Sequence, residues 1–411
     1  MNTLTIRNFG PIKDVTINLK KVNLLIGTQA SGKSTIAKIL SILNDFTLPM
    51  AKSIERYLID YNLDFGVNKD TFIEYKTPHT SITVKGKRIE HGLNDKLDEK
   101  RVKEFEQSLL GIGVNDENRF DRILIPLLGD TSDNPILHEL LRNSEGRSHS
   151  SNGMASNEKR KNVIKQFLSQ HDCRTHLHNC VYIPAERNIV ALIADNFFAF
   201  GESLGLPQCI WRFGAKYEKA RKSIANNAST RIPFIKDLKF RRTEIKDEIL
   251  YQGSINSLFQ GSSGFQSSIP LALVCLHYQD VMNSFFIIEE PEQNLYPVTQ
   301  YNLVKFLAES CLKNDNALLM TTHSPYILTS LVNLIQAHNS SSVKPRSTAK
   351  IIPKKQWINF EEVSAYFIDE GISRDILDYE YKTIFAEEID NASSDIAIEY
   401  GKLLNLAYPN K

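Results

Sequence analysis

"VNLLIGTQASGKST", residues 22–35, joins a mainly apolar run to a Gly-x4-Gly-Lys-Ser pattern. The apolar run is short and reads as a buried strand, and the residues from Lys33 to about Leu43 carry a helical pattern. Glycines at 27 and 32 let the backbone turn so that successive N–H groups point inward, and the helix N-terminus adds the positive end of its dipole. That combination cradles phosphate. The expected nucleotide site is Gly27, Thr28, Gln29, Ala30, Ser31, Gly32, Lys33, Ser34 and Thr35. In it Lys33 reaches the β- and γ-phosphates of ATP and the Ser34 hydroxyl coordinates magnesium. An ordinary glycine turn is the competing reading, and the strand before and helix after the pattern count against it.

Upstream, "TLTIRNF" and "VTINL" alternate apolar and polar residues about the turn "GPIKD", as paired strands do. Far downstream, "SFFIIEEPEQNLYP" (284–297) carries four apolar residues, Phe285 to Ile288, which deliver Glu289 and Glu290 to a strand end that Pro291 stops. Two adjacent carboxylates at the end of a buried strand repel and lose hydration, and a cation resolves that conflict. Glu289 is the expected magnesium carboxylate, and Glu290 the catalytic residue that polarises the attacking water. "LLMTTHSPYIL" (318–328) is a third strand with His323 at its tip. Sheets of this kind bind ligands at the carboxyl ends of their strands, so His323 is expected beside the glutamates as a second catalytic residue.

Strands and helices alternate through this second half, as a parallel sheet requires. "FQGSSGFQSSIPLALVCLHYQ" (259–279) is ambiguous: its glycines and serines suit a flexible linker or a phosphate-binding helix start.

Together the motifs resemble the ATPase head of the ABC superfamily, in its SMC, RecF and OLD-like branch, over residues 1–45 and about 178–335. "YIPAERN", "EEPEQNLYP" and "TTHSPYIL" resemble stand-alone bacterial ATPases of the OLD-like kind, many of which serve phage defence with a partner effector. The resemblance implies an α/β ABC-ATPase fold of the P-loop class, with a mixed and largely parallel sheet and an inserted, mainly helical subdomain. It makes "SSGFQ" the signature loop, with Ser263, Gly264 and Gln266 on ATP held by the other subunit. Asn294 and Leu295 fall at the same interface. The implied assembly is a head-to-tail homodimer about two MgATP, with higher assembly open, acting on a separate effector such as a nuclease or toxin. Nucleic acid is a further candidate partner.

The sequence departs from the pattern in three places. Glu289 stands where most of the superfamily has Asp, Phe265 stands where the signature usually has glycine, and no glutamine suits a Q-loop. Gln166, Gln170 and Gln208 lack its setting, and the segment with Glu186 and Arg187 is the substitute. Toprim nucleases need an acidic cluster with Asp-x-Asp; only 88 residues follow His323 and none forms it, so no nuclease of that type is expected.

Three units are expected: a discontinuous core of residues 1–45 and 178–335, a mainly helical insertion at 46–177 with a polar, mobile loop at 142–161, and a C-terminal extension at 336–411 packed on the core. The insertion should hold a hairpin turning at Lys85-Gly86 and amphipathic pieces at 103–112 and 122–129.

"HDCRTHLHNC" (171–180) offers His171, Cys173, His176, His178 and Cys180 as zinc ligands, although the spacing is tighter than structural sites use and a polar turn is the plainer reading. Lys236, Lys239, Arg241, Arg242 and Lys246 are interleaved with acids, which favours a solvated mixed face over a phosphate-contacting strip.

A net charge of +1 excludes a bulk positive field, and no apolar run reaches the roughly 20 residues of a membrane span. Five cysteines without framework spacing and a start lacking signal-peptide features lead to a cytoplasmic expectation. A RecF-like repair ATPase acting directly on DNA is the alternative. A transporter subunit is the weaker one, because Ser263 lies 230 residues after Lys33.

Overall fold

The computed structural model describes residues 2–45, 48, 51, 53–78, 80–93, 179–193, 205–244, 246–281, 283–385, 397–403 and 406. The amphipathic pieces at 103–112 and 122–129, the loop at 142–161, residues 171–178 of the His/Cys cluster, Gln166 and Gln170 lie outside the described residues.

The chain begins with β1 (Asn2–Phe9), β2 (Ile12–Leu19) and β3 (Val22–Gly27), followed by α1 (Lys33–Leu43). β1 and β2 form an antiparallel hairpin whose alternate side chains, Leu4, Ile6, Val15 and Ile17, are buried. β3 is buried on both faces, as its apolar run, interrupted only by the hydrogen-bonded Asn23, requires. After α2 (Glu55–Asp60) come β4 (Phe72–Lys76), β5 (Thr80–Lys85) and β6 (Arg88–Leu93). The hairpin between β5 and β6 turns at Gly86, whose φ of 57° suits glycine.

The middle of the chain gives β7 (Asn179–Ile183), α3 (Asn188–Ile193) and α4 (Gln208–Lys222). A four-stranded antiparallel sheet then follows: β8 (Ser229–Arg231), β9 (Lys239–Arg242), β10 (Asp247–Tyr251) and β11 (Ser254–Ser257). Next come α5 (Ser263–Tyr278), β12 (Ser284–Glu289), α6 (Pro297–Cys311), β13 (Ala317–Thr322), α7 (Pro325–Ser341) and α8 (Pro345–Ile351). The last strands are β14 (Val363–Asp369), β15 (Ile372–Asp375), β16 (Leu377–Asp378) and β17 (Thr383–Ile384).

The main sheet runs β6-β5-β4-β1-β2-β15-β14-β3-β13-β12-β7. β7, β12, β13, β3 and β14 are parallel, whereas β2, β1, β4, β5 and β6 are antiparallel, giving the mixed sheet expected of this α/β class. Because the parallel strands share one direction, the ends of β3, β12 and β13 carry Gly27, Glu289 and Thr322 to one edge.

Two expected boundaries differ. Within the expected insertion the hairpin turning at Lys85-Gly86 is present as β5 and β6, but with β4 it continues the sheet from β1 and does not belong to a separate, mainly helical unit. The C-terminal segment is not an extension laid on the core: β14 sits inside the sheet and pairs along β3, from Val363 opposite Val22 to Ile368 opposite Gly27. A buried β3 needs a ladder on each edge, and β13 supplies only one.

That pairing makes Gly27 sterically fixed, since a Cβ there would stand 1.9 Å from the Ile368 carbonyl oxygen. Gly27→Ala is expected to lower unfolding stability by about 2–3 kcal/mol or more, as overpacking against backbone does, measured by denaturant titration. Unchanged stability would mean that β14 does not hold this register. Asn23, buried on β3, ties three segments with its amide, bonding the Lys20 and Leu318 carbonyls and accepting from Ser364.

Candidate active site

The loop between β3 and α1 wraps the Lys33 ammonium. Lys33 Nζ donates to the Gly27 carbonyl at 3.0 Å, the Thr28 carbonyl at 2.6 Å and Ser31 Oγ at 3.3 Å, and lies 3.5 Å from His323 Nδ1. Burial lowers its pKa to about 8, opposed by the charges of Glu290 and Glu292. The loop needs left-handed backbone at Ala30 (φ 57°) and Gly32 (φ 105°). Thr28, Gln29 and Ala30 are exposed, while Ser31, Lys33 and Thr35 are buried and Ser34 is partly buried. Thr28 Oγ1 donates to Asp369 Oδ1 at 2.8 Å, so the end of β14 clamps the first residue after Gly27.

At the end of β12 the two glutamates diverge. Glu289 is buried and Tyr182 donates to its Oε1 at 2.6 Å. Burial pushes its carboxyl up to about 7, against the charge of Lys38 and hydrogen bonds from Tyr182 and Ser34. Glu290 adopts a left-handed backbone (φ 42°) with its N–H on the Thr321 carbonyl at 2.9 Å. This turn rotates its carboxylate out of the strand line, where Oε1 lies 3.5 Å from His323 Nε2. His323 thus has Lys33 at one ring nitrogen and Glu290 at the other. The sequence-predicted residues Lys33, Glu290 and His323 meet, and Ser34 meets Glu289.

Two residues overlooked in the motif hold this arrangement. Glu292 Oε1 accepts from Thr322 Oγ1 at 2.6 Å and from the His323 N–H at 3.0 Å, and so fixes the backbone that carries the imidazole. Its signal was the third acid of "EEPEQ". Tyr182, on β7, had no signal beyond its place in an apolar strand.

"GSSGFQSS" is not a linker: helix α5 starts at Ser263, with the N–H groups of Phe265 and Gln266 on the Ser262 carbonyl. The contacts of this loop lie with the 294 turn and the 259 turn. A Cβ on Gly264 would stand 2.8 Å from the Asn294 carbonyl oxygen, and Gln266 Nε2 donates to the Phe259 carbonyl at 2.8 Å. Ser263 is exposed, whereas Gln266 is buried with its amide N–H in use. Phe265, at the position of a usual glycine, packs edge-on against Tyr251 at 5.1 Å and so anchors the helix start to the four-stranded sheet.

Of the Q-loop substitutes, Glu186 is exposed and Arg187 is fully buried, with its guanidinium on backbone carbonyls. Burial takes Arg187 down to about 10 against the pull of Glu292, Glu290 and Glu289. In the basic stretch, Arg241 pairs with Glu248 at 2.5 Å, Lys246 approaches the same carboxylate at 3.6 Å, and Arg242 donates to the Lys222 and Ile224 carbonyls. These pairings fit a mixed face, since the two arginines are already engaged. Cys180, the described member of the His/Cys cluster, donates its Sγ–H to Ser41 Oγ at 3.6 Å.

The donors around the Ser34 hydroxyl and the Glu289 carboxylate are hard oxygens, the set magnesium takes, and burial leaves Glu289 short of charge compensation. The residues present fit that ion.

No helix among the described residues is long and apolar enough to cross a membrane. A search of curated proteins finds no match. Among solved structures, the SMC head domain from Thermotoga maritima is 10 % identical with a TM-score of 0.38, over 91 % of this chain and 97 % of that one. The Smc head domain with an extended coiled coil bound to the C-terminal domain of ScpA, from Pyrococcus furiosus, is 13 % identical with a TM-score of 0.41, over 97 % of this chain and 100 % of that one. The AAA ATPase domain matches residues 1–328, which include the β3 to α1 loop, the Glu289-Glu290 turn and His323. The chain belongs to that AAA ATPase domain family and is an ATPase.

Proposed function

We propose that this ATPase closes head-to-tail on two MgATP, hydrolyses them and reopens, and that the cycle controls a separate effector such as a nuclease or toxin in bacterial anti-phage defence. The observation that supports it best is the solvent-exposed start of α5. The β3 to α1 loop meets Glu290 and His323, whereas Ser263 at the start of α5 is exposed beside the 294 turn. A sixteen-residue helix that presents its N-terminus to solvent is suited to an anion from elsewhere. Around it Phe259, Tyr296 and Val298 are all more than half exposed, the apolar surface a second subunit would cover. The effector rests on the OLD-like resemblance of "YIPAERN", "EEPEQNLYP" and "TTHSPYIL".

Each side chain then has a chemical task. Lys33 carries positive charge to the β- and γ-phosphates from a site where it is already aligned by three oxygens. Ser34 and Glu289 would hold magnesium, which supplies charge neutralisation at the phosphate oxygens. Tyr182 orients the Glu289 carboxylate by donating its hydroxyl proton to Oε1. Glu290 accepts a proton from the attacking water, with His323 orienting it. Binding on both faces of the interface is what lets ATP favour the closed state, because the open state lacks half of those contacts.

Ser263→Arg tests the trans contact. The variant should bind MgATP as a monomer with affinity within about threefold of the parent, fail to dimerise, and lose turnover by about 50-fold or more, near the scale of one lost charge-stabilising group. Light scattering and phosphate release read the two effects. A variant that hydrolyses normally would show that this helix start does not meet nucleotide.

A further inference from the structure

Arg187 is the largest fully buried side chain among the described residues, and the chemistry above makes no use of it. Its guanidinium bridges two pieces of backbone. On one side Nη1 donates to the Glu289 carbonyl at 2.8 Å, and Nη2 to the Glu290 and Pro291 carbonyls at 2.8 and 3.3 Å. On the other Nε donates to the Ser267 carbonyl, in the first turns of α5, at 3.2 Å, with Nη1 also on the Pro184 carbonyl at 3.2 Å.

A buried cation is a poor means of gaining stability, since apolar side chains of the same volume fill such space without desolvating a charge. Its planar fork is suited to something else, which is fixing several acceptors relative to one another. The same junction has two more ties. Ser267 Oγ donates to the Gln293 carbonyl at 3.0 Å, and Gly264 lies so close to Asn294 that a Cβ would meet its carbonyl oxygen. All three join the start of α5 to the single turn that carries Glu289 and Glu290.

We propose that Arg187 is a positioning residue that makes the start of α5 and the 289–294 turn one rigid piece, so that nucleotide of the partner subunit, on engaging Ser263 and Gly264, fixes the hydrolytic carboxylates of this one. The proposal rests on the head-to-tail reading. It adds the route by which one active site senses the other: α5 to Arg187 to the carbonyls of residues 289–291, through hydrogen bonds.

The test compares the full-length protein with Arg187→Lys. Lysine keeps the charge but has a single nitrogen that cannot span both backbones. MgATP affinity, dimer formation with a non-hydrolysable ATP analogue, and turnover per subunit over a range of protein concentrations are measured. The expected result is affinity within threefold, dimers that still form, and a loss of at least tenfold in the stimulation of turnover by protein concentration. A residue that only supported the fold would lower melting temperature, affinity and turnover together, and that outcome overturns the proposal. So does a dimer that turns over within threefold of the parent.

A parent protein that stays monomeric with the analogue sinks the head-to-tail reading itself, which is a separate result. Should Arg187→Lys not bind nucleotide, Ser267→Ala decides. It removes only the hydroxyl tie to Gln293, and a three- to tenfold loss of the same stimulation with unchanged affinity supports the proposal. Unchanged stimulation overturns it.

Discussion

Glu290→Gln is expected to bind MgATP with parental affinity and to turn it over at least about a hundredfold more slowly, the scale on which a positioned general base acts. Glutamine preserves the volume and can still approach His323, which lies 3.5 Å from Oε1, but an amide cannot take a proton from water. The backbone supports the same separation of binding from chemistry. The left-handed conformation of residue 290 and its N–H on Thr321 do not involve the carboxylate, so the turn should survive the substitution. ATP that binds and is not consumed keeps the closed state populated, and stable dimers should accumulate in light scattering. Phosphate release gives the rate, and retained radiolabelled ATP gives the occupancy. Turnover within about threefold of the parent would remove Glu290 from the role of base and leave His323 or a bound water to be examined.

The contrast with Glu289, one residue earlier, shows how a single peptide step sets two environments. Glu289 still belongs to the ladder of β12, so its side chain stands off the sheet face toward α1, where burial raises its carboxyl to about 7 and Tyr182 holds it. Glu290 has left the ladder, and its positive φ sends the side chain to the surface of the strand ends. The adjacent acids could be read from the sequence as a conflict needing a cation. Their different directions could not, because they follow from the turn before Pro291 and not from residue identity.

Much of the site was legible for one reason: parallel strands buried on both faces write themselves as apolar runs, and the residue after each run is at the ligand edge. "VNLLIG", "FFII" and "LLMTT" therefore located Lys33, Glu289, Glu290 and His323 together. β14 was not located this way. Its "VSAYFID" is apolar too, but nothing local says that a strand starting at Val363 inserts beside β3, and Asp369 reaches Thr28 across 341 residues of chain. Arg187 was noticed only as a replacement for a missing glutamine. A buried guanidinium satisfied by five carbonyls has no sequence pattern, since backbone acceptors exist at every position. Phe265 looked like a defect in the signature, and its contact with Tyr251 depends on a sheet that lies outside the motif.

Lys33→Ala is expected to weaken MgATP binding by about a hundred- to a thousandfold while leaving the protein at least as stable as the parent. The affinity loss follows from two charge-assisted hydrogen bonds to phosphate at about 1.5–2 kcal/mol each, with every 1.4 kcal/mol a factor of ten. The stability expectation has the opposite sign because Lys33 is not at ease in the fold. Burial brings its ammonium from 10.5 to about 8, which means that the folded protein holds the charged form less readily than the unfolded chain does. For a base with a lowered folded value, its stabilising contribution is complete above pH 10.5 and is lost as pH falls through about 8. Removing the amine therefore gains most, relative to the parent, at pH 7 and least near pH 10. Melting temperatures of both proteins at those two values, without nucleotide, test the sign directly. Nucleotide titration of the same samples then separates the two effects. A variant that binds ATP normally would overturn the phosphate site, and one that melts well below the parent at pH 7 would show that the Gly27, Thr28 and Ser31 contacts outweigh the buried charge.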